Sequence, residues 1–138
     1  MKRNPMLMAI LFAALLAAGC APLPVLTVDH QQVMRVDGKP LTMDDMERVV
    51  RVAAYEEDWD LQPESPGYVV ATKRSDNDWK LTVEIVYTAN DFSIRYKDST
   101  GLQYDPMRGT IAKHGRGVME DLRDRIKDEV QLLSLRGN

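Results

Sequence analysis

Between Trp79 and Thr88 the chain alternates so regularly that one backbone geometry accounts for it. Trp79, Leu81, Val83, Ile85 and Tyr87 fall on one side of a two-residue period, and Lys80, Thr82, Glu84 and Thr88 on the other; only Val86 breaks the polar side. That pattern is a strand with one buried and one wetted face. Its neighbours follow suit. Tyr68 to Lys73 is rich in β-branched and aromatic residues after a Pro63 to Gly67 turn, and Ser75-Asp76-Asn77-Asp78 reads as a hairpin loop. After Ala89-Asn90-Asp91, Phe92, Ile94 and Tyr96 alternate with Ser93, Arg95 and Lys97. Connections this short force antiparallel pairing, so an antiparallel meander of three to four strands is expected, with Trp59 and Leu61 leading into it.

An apolar sheet face needs cover, and two amphipathic segments can supply it. Thr42 followed by Asp44 and Asp45 is a helix start, because the hydroxyl caps free amides and the carboxylates meet the positive end of the helix dipole. Met46, Val49, Val50 and Ala53 then make an apolar stripe, Asp44/Arg48 and Glu47/Arg51 are i,i+4 pairs, and the helix is expected to end near Glu56. Ile111, Gly115, Val118, Met119, Leu122, Ile126, Val130 and Leu133 recur at three- and four-residue steps in a second, longer helix. Its polar face runs from Glu120 and Asp121 through Arg123, Asp124, Arg125 and Lys127 to Asp128; Gly115 and Gly117 weaken the first turns, so its firm part is expected from Val118. The fold class this predicts is α+β, a two-layer sandwich with the meander packed against two helices. A single domain over 42–135 follows. Residues 20–41, with Pro22, Pro24, Asp37-Gly38 and Lys39-Pro40, read as a tether ending in a turn, in which Val33 to Val36 is a candidate short edge strand.

The N-terminus carries an address. Lys2 and Arg3 precede an uncharged apolar run from Met6 to Ala18, then Gly19 and Cys20, the order of a secretory signal over residues 1–19. The run is shorter than the roughly 20 residues that span a bilayer. Leu15-Leu16-Ala17-Ala18-Gly19-Cys20 resembles the lipobox of bacterial lipoproteins, with Ala17 at the position where the pattern prefers leucine. The resemblance implies cleavage between Gly19 and Cys20, thioether lipidation of Cys20 and acylation of the new N-terminus. Ala21 is not the aspartate associated with inner-membrane retention, which in a Gram-negative cell favours the periplasmic face of the outer membrane. The alternative is an ordinary secreted protein with Cys20 as a free thiol.

Removing residues 1–19 takes Lys2 and Arg3 from the 18 basic side chains and leaves 16 against 21 acidic ones, a net charge of −5. That is not the basic footprint of a nucleic-acid binder. With Cys20 the only cysteine and His30 and His114 the only histidines, an intramolecular disulfide and zinc-finger-type sites are excluded.

Candidate chemistry is sparse. Ser99 beside Asp98, with His114 further on, has the residue types of a nucleophile, an orienter and a base, but no G-x-S-x-G elbow surrounds it. A turn over Asp98-Ser99-Thr100-Gly101, inside an irregular loop from Asp98 to Gly109, is the expected reading. Asp76, Asp78, Asp98 and Asp105 do not follow EF-hand spacing, so no metal and no cofactor is expected. Trp59, Trp79, Tyr87, Phe92 and Tyr96 are core at strand period, with a ligand-stacking platform as the alternative. Tyr96, Asp98, Ser99, Tyr104, Asp105 and Arg108 make the candidate interaction loop.

A longer likeness runs from about residue 40 to residue 126. Pro66-Gly67-Tyr68-Val69-Val70-Ala71-Thr72, Val83-x-Ile85-x-Tyr87, Ser93-Ile94-x-Tyr96-x-Asp98-Ser99-x-x-Leu102-x-Tyr104-Asp105 and Ile111 with Val118, Leu122 and Ile126 resemble a family of small uncharacterised lipoproteins of Gram-negative bacteria. Trp79 stands where that family has histidine, and Ile111-Ala112, Gly115-Arg116 and Val118 replace its Ile-His, Tyr-Asn and Trp signature. The resemblance implies the anchor and the α+β fold and brings no enzymatic activity. The expectation is therefore a non-enzymatic lipoprotein, held to the membrane through Cys20 and offering a sheet edge or the candidate loop to an envelope protein partner. A periplasmic hydrolase using Ser99 and His114, or a small-ligand binding module, are the alternatives.

Overall fold

The computed structural model describes residues 21–136. Their order is β1 (Leu23–Pro24), β2 (Val28–Gln32), α1 (Met43–Glu56), β3 (Asp60–Ser65), β4 (Tyr68–Arg74), β5 (Lys80–Tyr87), β6 (Asp91–Thr100), β7 (Thr110–Ile111) and α2 (Lys113–Arg136). Five strands form an antiparallel sheet in the order β2-β6-β5-β4-β3, and β1 pairs with β7 in a separate two-stranded ribbon. Both helices bury their stripes on one face of the large sheet. Met46, Val49, Val50 and Ala53 of α1 and Met119, Leu122, Ile126 and Val130 of α2 share a core with Ala71, Leu81, Val83, Ile85, Phe92 and Ile94. This is the α+β sandwich expected, with five strands in place of three or four.

α1 begins where its cap dictates. Thr42 Oγ1 accepts from the Asp45 amide at 3.1 Å and Asp45 Oδ2 accepts from the Thr42 amide at 3.0 Å, a reciprocal capping box. Thr42→Ala is expected to cost about 1 kcal/mol, measured by urea denaturation, because it exposes an amide that no helix carbonyl can satisfy. At the other end Asp58 adopts φ 57°, and the Trp59 amide bonds back to the Ala54 carbonyl at 2.8 Å, stopping the helix and turning Trp59 into the core. Of the two expected ion pairs, Glu47–Arg51 forms at 3.8 Å, and Asp44–Arg48 is not made among the described residues.

Four expectations are corrected. The stretch expected as tether is folded: β1 and β2 lie within it, and Leu26 and Val28 are buried, because their apolar side chains extend the sheet's inner face past β6. The edge strand is accordingly Val28–Gln32 and not Val33 to Val36, where Met34 and Val36 are exposed and nothing buried holds a register. The expected turn at Pro63 shrinks to Pro66-Gly67, since β3 is a sheet edge where a proline without an amide hydrogen is tolerated. α2 starts at Lys113, ahead of Val118, because Gly115 lets it pack closely; a Cβ there would sit 3.1 Å from Ile111 Cδ1 and 3.3 Å from Leu102 Cδ1.

Candidate functional site

A fifth correction falls on the loop expected from Asp98, because β6 continues as strand through Thr100. A bulge makes the difference. Val83 pairs with Tyr96 and Thr82 with Asp98, so Lys97 is an extra residue opposite no partner. Past an extra residue the side-chain alternation is reset, and Ser99, rather than Asp98, joins Tyr96 on the inner face. Tyr96 Oη and Ser99 Oγ are 2.7 Å apart, and Tyr104 stacks on the Tyr96 ring with centroids 4.1 Å apart and planes inclined by 25°. Asp98, in register with Thr82, goes to the open face.

Asp105 closes the turn that follows. Its Oδ1 accepts from the Met107 amide at 2.9 Å and the Arg108 amide at 3.2 Å, its own amide donates to the Thr110 carbonyl at 2.9 Å, and its carboxylate faces Arg108 at 3.8 Å. Of the six candidate residues the structure therefore joins Tyr96, Ser99 and Tyr104 in one cluster and Asp105 with Arg108 in the next turn. Asp98 stands apart. Ser99 and His114 are not hydrogen-bonded: Ser99 bonds Tyr96, while the His114 ring packs on Trp79 with centroids 5.8 Å apart. The first geometric requirement of a nucleophile–base pair is thus unmet between them. Gly19 and Cys20 lie outside the described residues.

Burial raises the Tyr96 phenol above its ordinary pKa, the Ser99 hydrogen bond partly opposing it, and burial likewise raises Tyr87. Tyr68 is raised mainly by its hydrogen bond to the Glu84 carboxylate, at 2.8 Å. All three folded values lie above the unfolded one, so the stability these phenols contribute is intact below the ordinary value of 10.0 and is lost as pH rises through the folded values. Through these phenols melting temperature is expected to fall on the alkaline side of that value, with tyrosinate absorbance tracking the loss, and Tyr96→Phe is expected to make that fall shallower.

A second feature has no counterpart in the sequence pattern. Between α1 and the β3 edge lies a half-open groove of about 550 Å³, lined by Val50, Leu61, Pro63, Pro66, Val69 and Tyr87, with Glu47, Arg51 and Glu64 bringing charge. Its walls come from four separate elements and the β3–β4 turn, so no local motif announces it; the one hint is the proline density at Pro63 and Pro66. The groove sits on the sheet edge opposite β2, four strand spacings or about 19 Å across the sheet.

Among the described residues, no group of three or more His, Cys, Asp or Glu side chains comes together to hold a metal ion. No described helix is long and apolar enough to cross a membrane. No family model matches the chain, and no curated protein and no solved structure matches it either.

Proposed function

We propose that this chain is a lipid-anchored lipoprotein of the cell envelope, held at the periplasmic face of the outer membrane, and that it works as a non-enzymatic binding module. The observation that carries the reading is the order of its first twenty residues: basic Lys2 and Arg3, an uncharged apolar run, Gly19, then the chain's only cysteine. An unpaired thiol exported to an oxidising compartment is a liability, and lipidation gives it a role. The resemblance to small Gram-negative lipoproteins points the same way.

The groove beside β3 supports the binding part of the reading. Its volume lies within the roughly 300–1,000 Å³ of ligand sites, and its apolar lining beside a few charged groups suits an apolar peptide segment of an envelope protein. The edge strand offers unpaired backbone groups to such a segment, with Pro63 limiting how many.

Two variants test the two parts. Cys20→Ser is expected to move the protein from the membrane pellet to the soluble fraction, since two or three acyl chains hold far more firmly than surface contacts alone. Equal fractionation of variant and parent would overturn the anchor. Leu61→Lys, at a half-exposed groove position, is expected to deplete proteins that co-purify with the lipidated parent. An unchanged set would overturn the groove as the recognition site.

A further inference from the structure

The turn carrying Met107 stands where the chain enters its anchor. Cys20 and Leu23 are three residues apart, so their Cα atoms lie within about 11 Å of each other even with the backbone fully extended. Leu23 is not free to drift. β1 pairs Leu23 with Ile111 and Pro24 with Thr110, the Val25 amide donates to the Gly109 carbonyl at 2.9 Å, and Arg116 Nη1 donates to the Pro24 carbonyl at 2.7 Å. A lipidated Cys20 therefore leaves no room for a spacer between the bilayer and this end of the fold.

That end presents the most exposed of the large hydrophobic side chains among the described residues. Met107 is 92 % exposed, and Pro106 and Tyr104 are exposed beside it. This is not a loose loop, because the Asp105 carboxylate and the Asp105–Thr110 and Gly109–Asp105 backbone bonds close the turn, and the stack on Tyr96 fixes Tyr104. An apolar tip is thus held out in one conformation. Residues 104–116 carry Arg108, Lys113 and Arg116 against Asp105. Arg108 faces Asp105 at 3.8 Å and Arg116 pairs with Glu120 at 2.8 Å, while exposed Lys113 has no ion pair among the described residues. An apolar tip on a segment of net positive charge fits the phosphate layer of a phospholipid surface, the methionine entering and the exposed Lys113 ammonium free to meet a headgroup.

We propose that the Tyr104–Gly109 turn is a membrane-contacting edge that dips Met107 into the headgroup layer of the leaflet carrying the Cys20 lipid. It rests on the anchor reading above. Anchor and tip together are two points on the bilayer and restrict the tilt of the domain, while the α1–β3 groove lies on the sheet edge opposite β2.

The test uses lipidated full-length protein reconstituted into vesicles of phosphatidylethanolamine and phosphatidylglycerol. Thioether formation consumes the only native thiol, so Met107→Cys gives a single labelling site for an environment-sensitive fluorophore. Asn90→Cys is the control, an exposed position just before β6 and about 20 Å along the strand from Tyr96, on which the turn stacks. A nitroxide carried on lipid headgroups is expected to quench most emission from position 107 and to leave position 90 at its nitroxide-free level. Vesicle-bound protein with positions 107 and 90 quenched alike, or with 107 unquenched, would overturn the proposal while leaving the anchor intact. Protein that fails to float with the vesicles and carries a second reactive thiol would overturn the anchor reading and the proposal with it.

Discussion

Gly101→Ala is expected to destabilise the fold by about 3–5 kcal/mol, one of the two largest effects expected of a single substitution in this domain. Gly101 has φ +72°, where an L side chain costs about 1 kcal/mol by itself. The larger part is collision. A Cβ at this position would lie 2.1 Å from the Asp78 carbonyl oxygen and 3.1 Å from both the Asp78 carbonyl carbon and Trp79 Cα. Those atoms are backbone, and the loop that holds them cannot retreat cheaply: Ser75 Oγ accepts from the Asp78 and Trp79 amides, each at 3.1 Å, and the Ser75 amide donates to the Trp79 carbonyl at 3.0 Å. Gly109 is the control, with φ +63° and nothing within 4 Å of where an alanine methyl would stand, so Gly109→Ala is expected to show only the conformational cost of about 1 kcal/mol. Urea denaturation of the two variants separates collision from conformation. Equal losses would contradict the close approach of the β6 end to the β4–β5 hairpin.

Phe92→Ala is expected to cost a similar 3–5 kcal/mol for a different reason. Phe92 is wholly buried and sits in β6 between Tyr87 of β5 and Gln31 of β2. Removing the ring leaves a cavity that the flanking strands cannot close without losing register, so transfer and cavity costs add. Val86→Ala, on the opposite and 40 % exposed face of β5, is expected to change stability by less than about 0.5 kcal/mol. The comparison also assigns the sheet's sidedness. Comparable losses in the two variants would mean the helix layer covers the wrong face.

The elements legible in the sequence are those whose burial is periodic and local. α1 has its cap, stripe and stop within one continuous stretch, and β4 to β6 follow one another through short turns, so each is specified by neighbours along the chain. β2 is hidden for the opposite reason. Asp29, His30, Gln31 and Gln32 look like linker, and the strand exists because Val28 reaches the core and the His30 amide bonds the buried Ser93 hydroxyl at 3.0 Å, a contact across 63 residues. His30 itself takes φ 46°, breaking the period that would mark the strand. The tyrosine cluster is half visible: Tyr96 and Tyr104 both stand out as candidates, but the bulge at Lys97 that turns Ser99 toward them is a pairing event invisible in one strand alone. The groove, made by Glu47, Leu61, Pro66 and Tyr87 from separate elements, exists only once the chain has folded.

The chain's biological reading stands on one chemical event at one sulfur, and the mass of the mature protein from the membranes of a Gram-negative host measures it directly. The account predicts a chain beginning at Cys20, with residues 1–19 gone and acyl groups on both the sulfur and the new amino terminus. A soluble chain beginning at any residue with an unmodified thiol at Cys20 would contradict it.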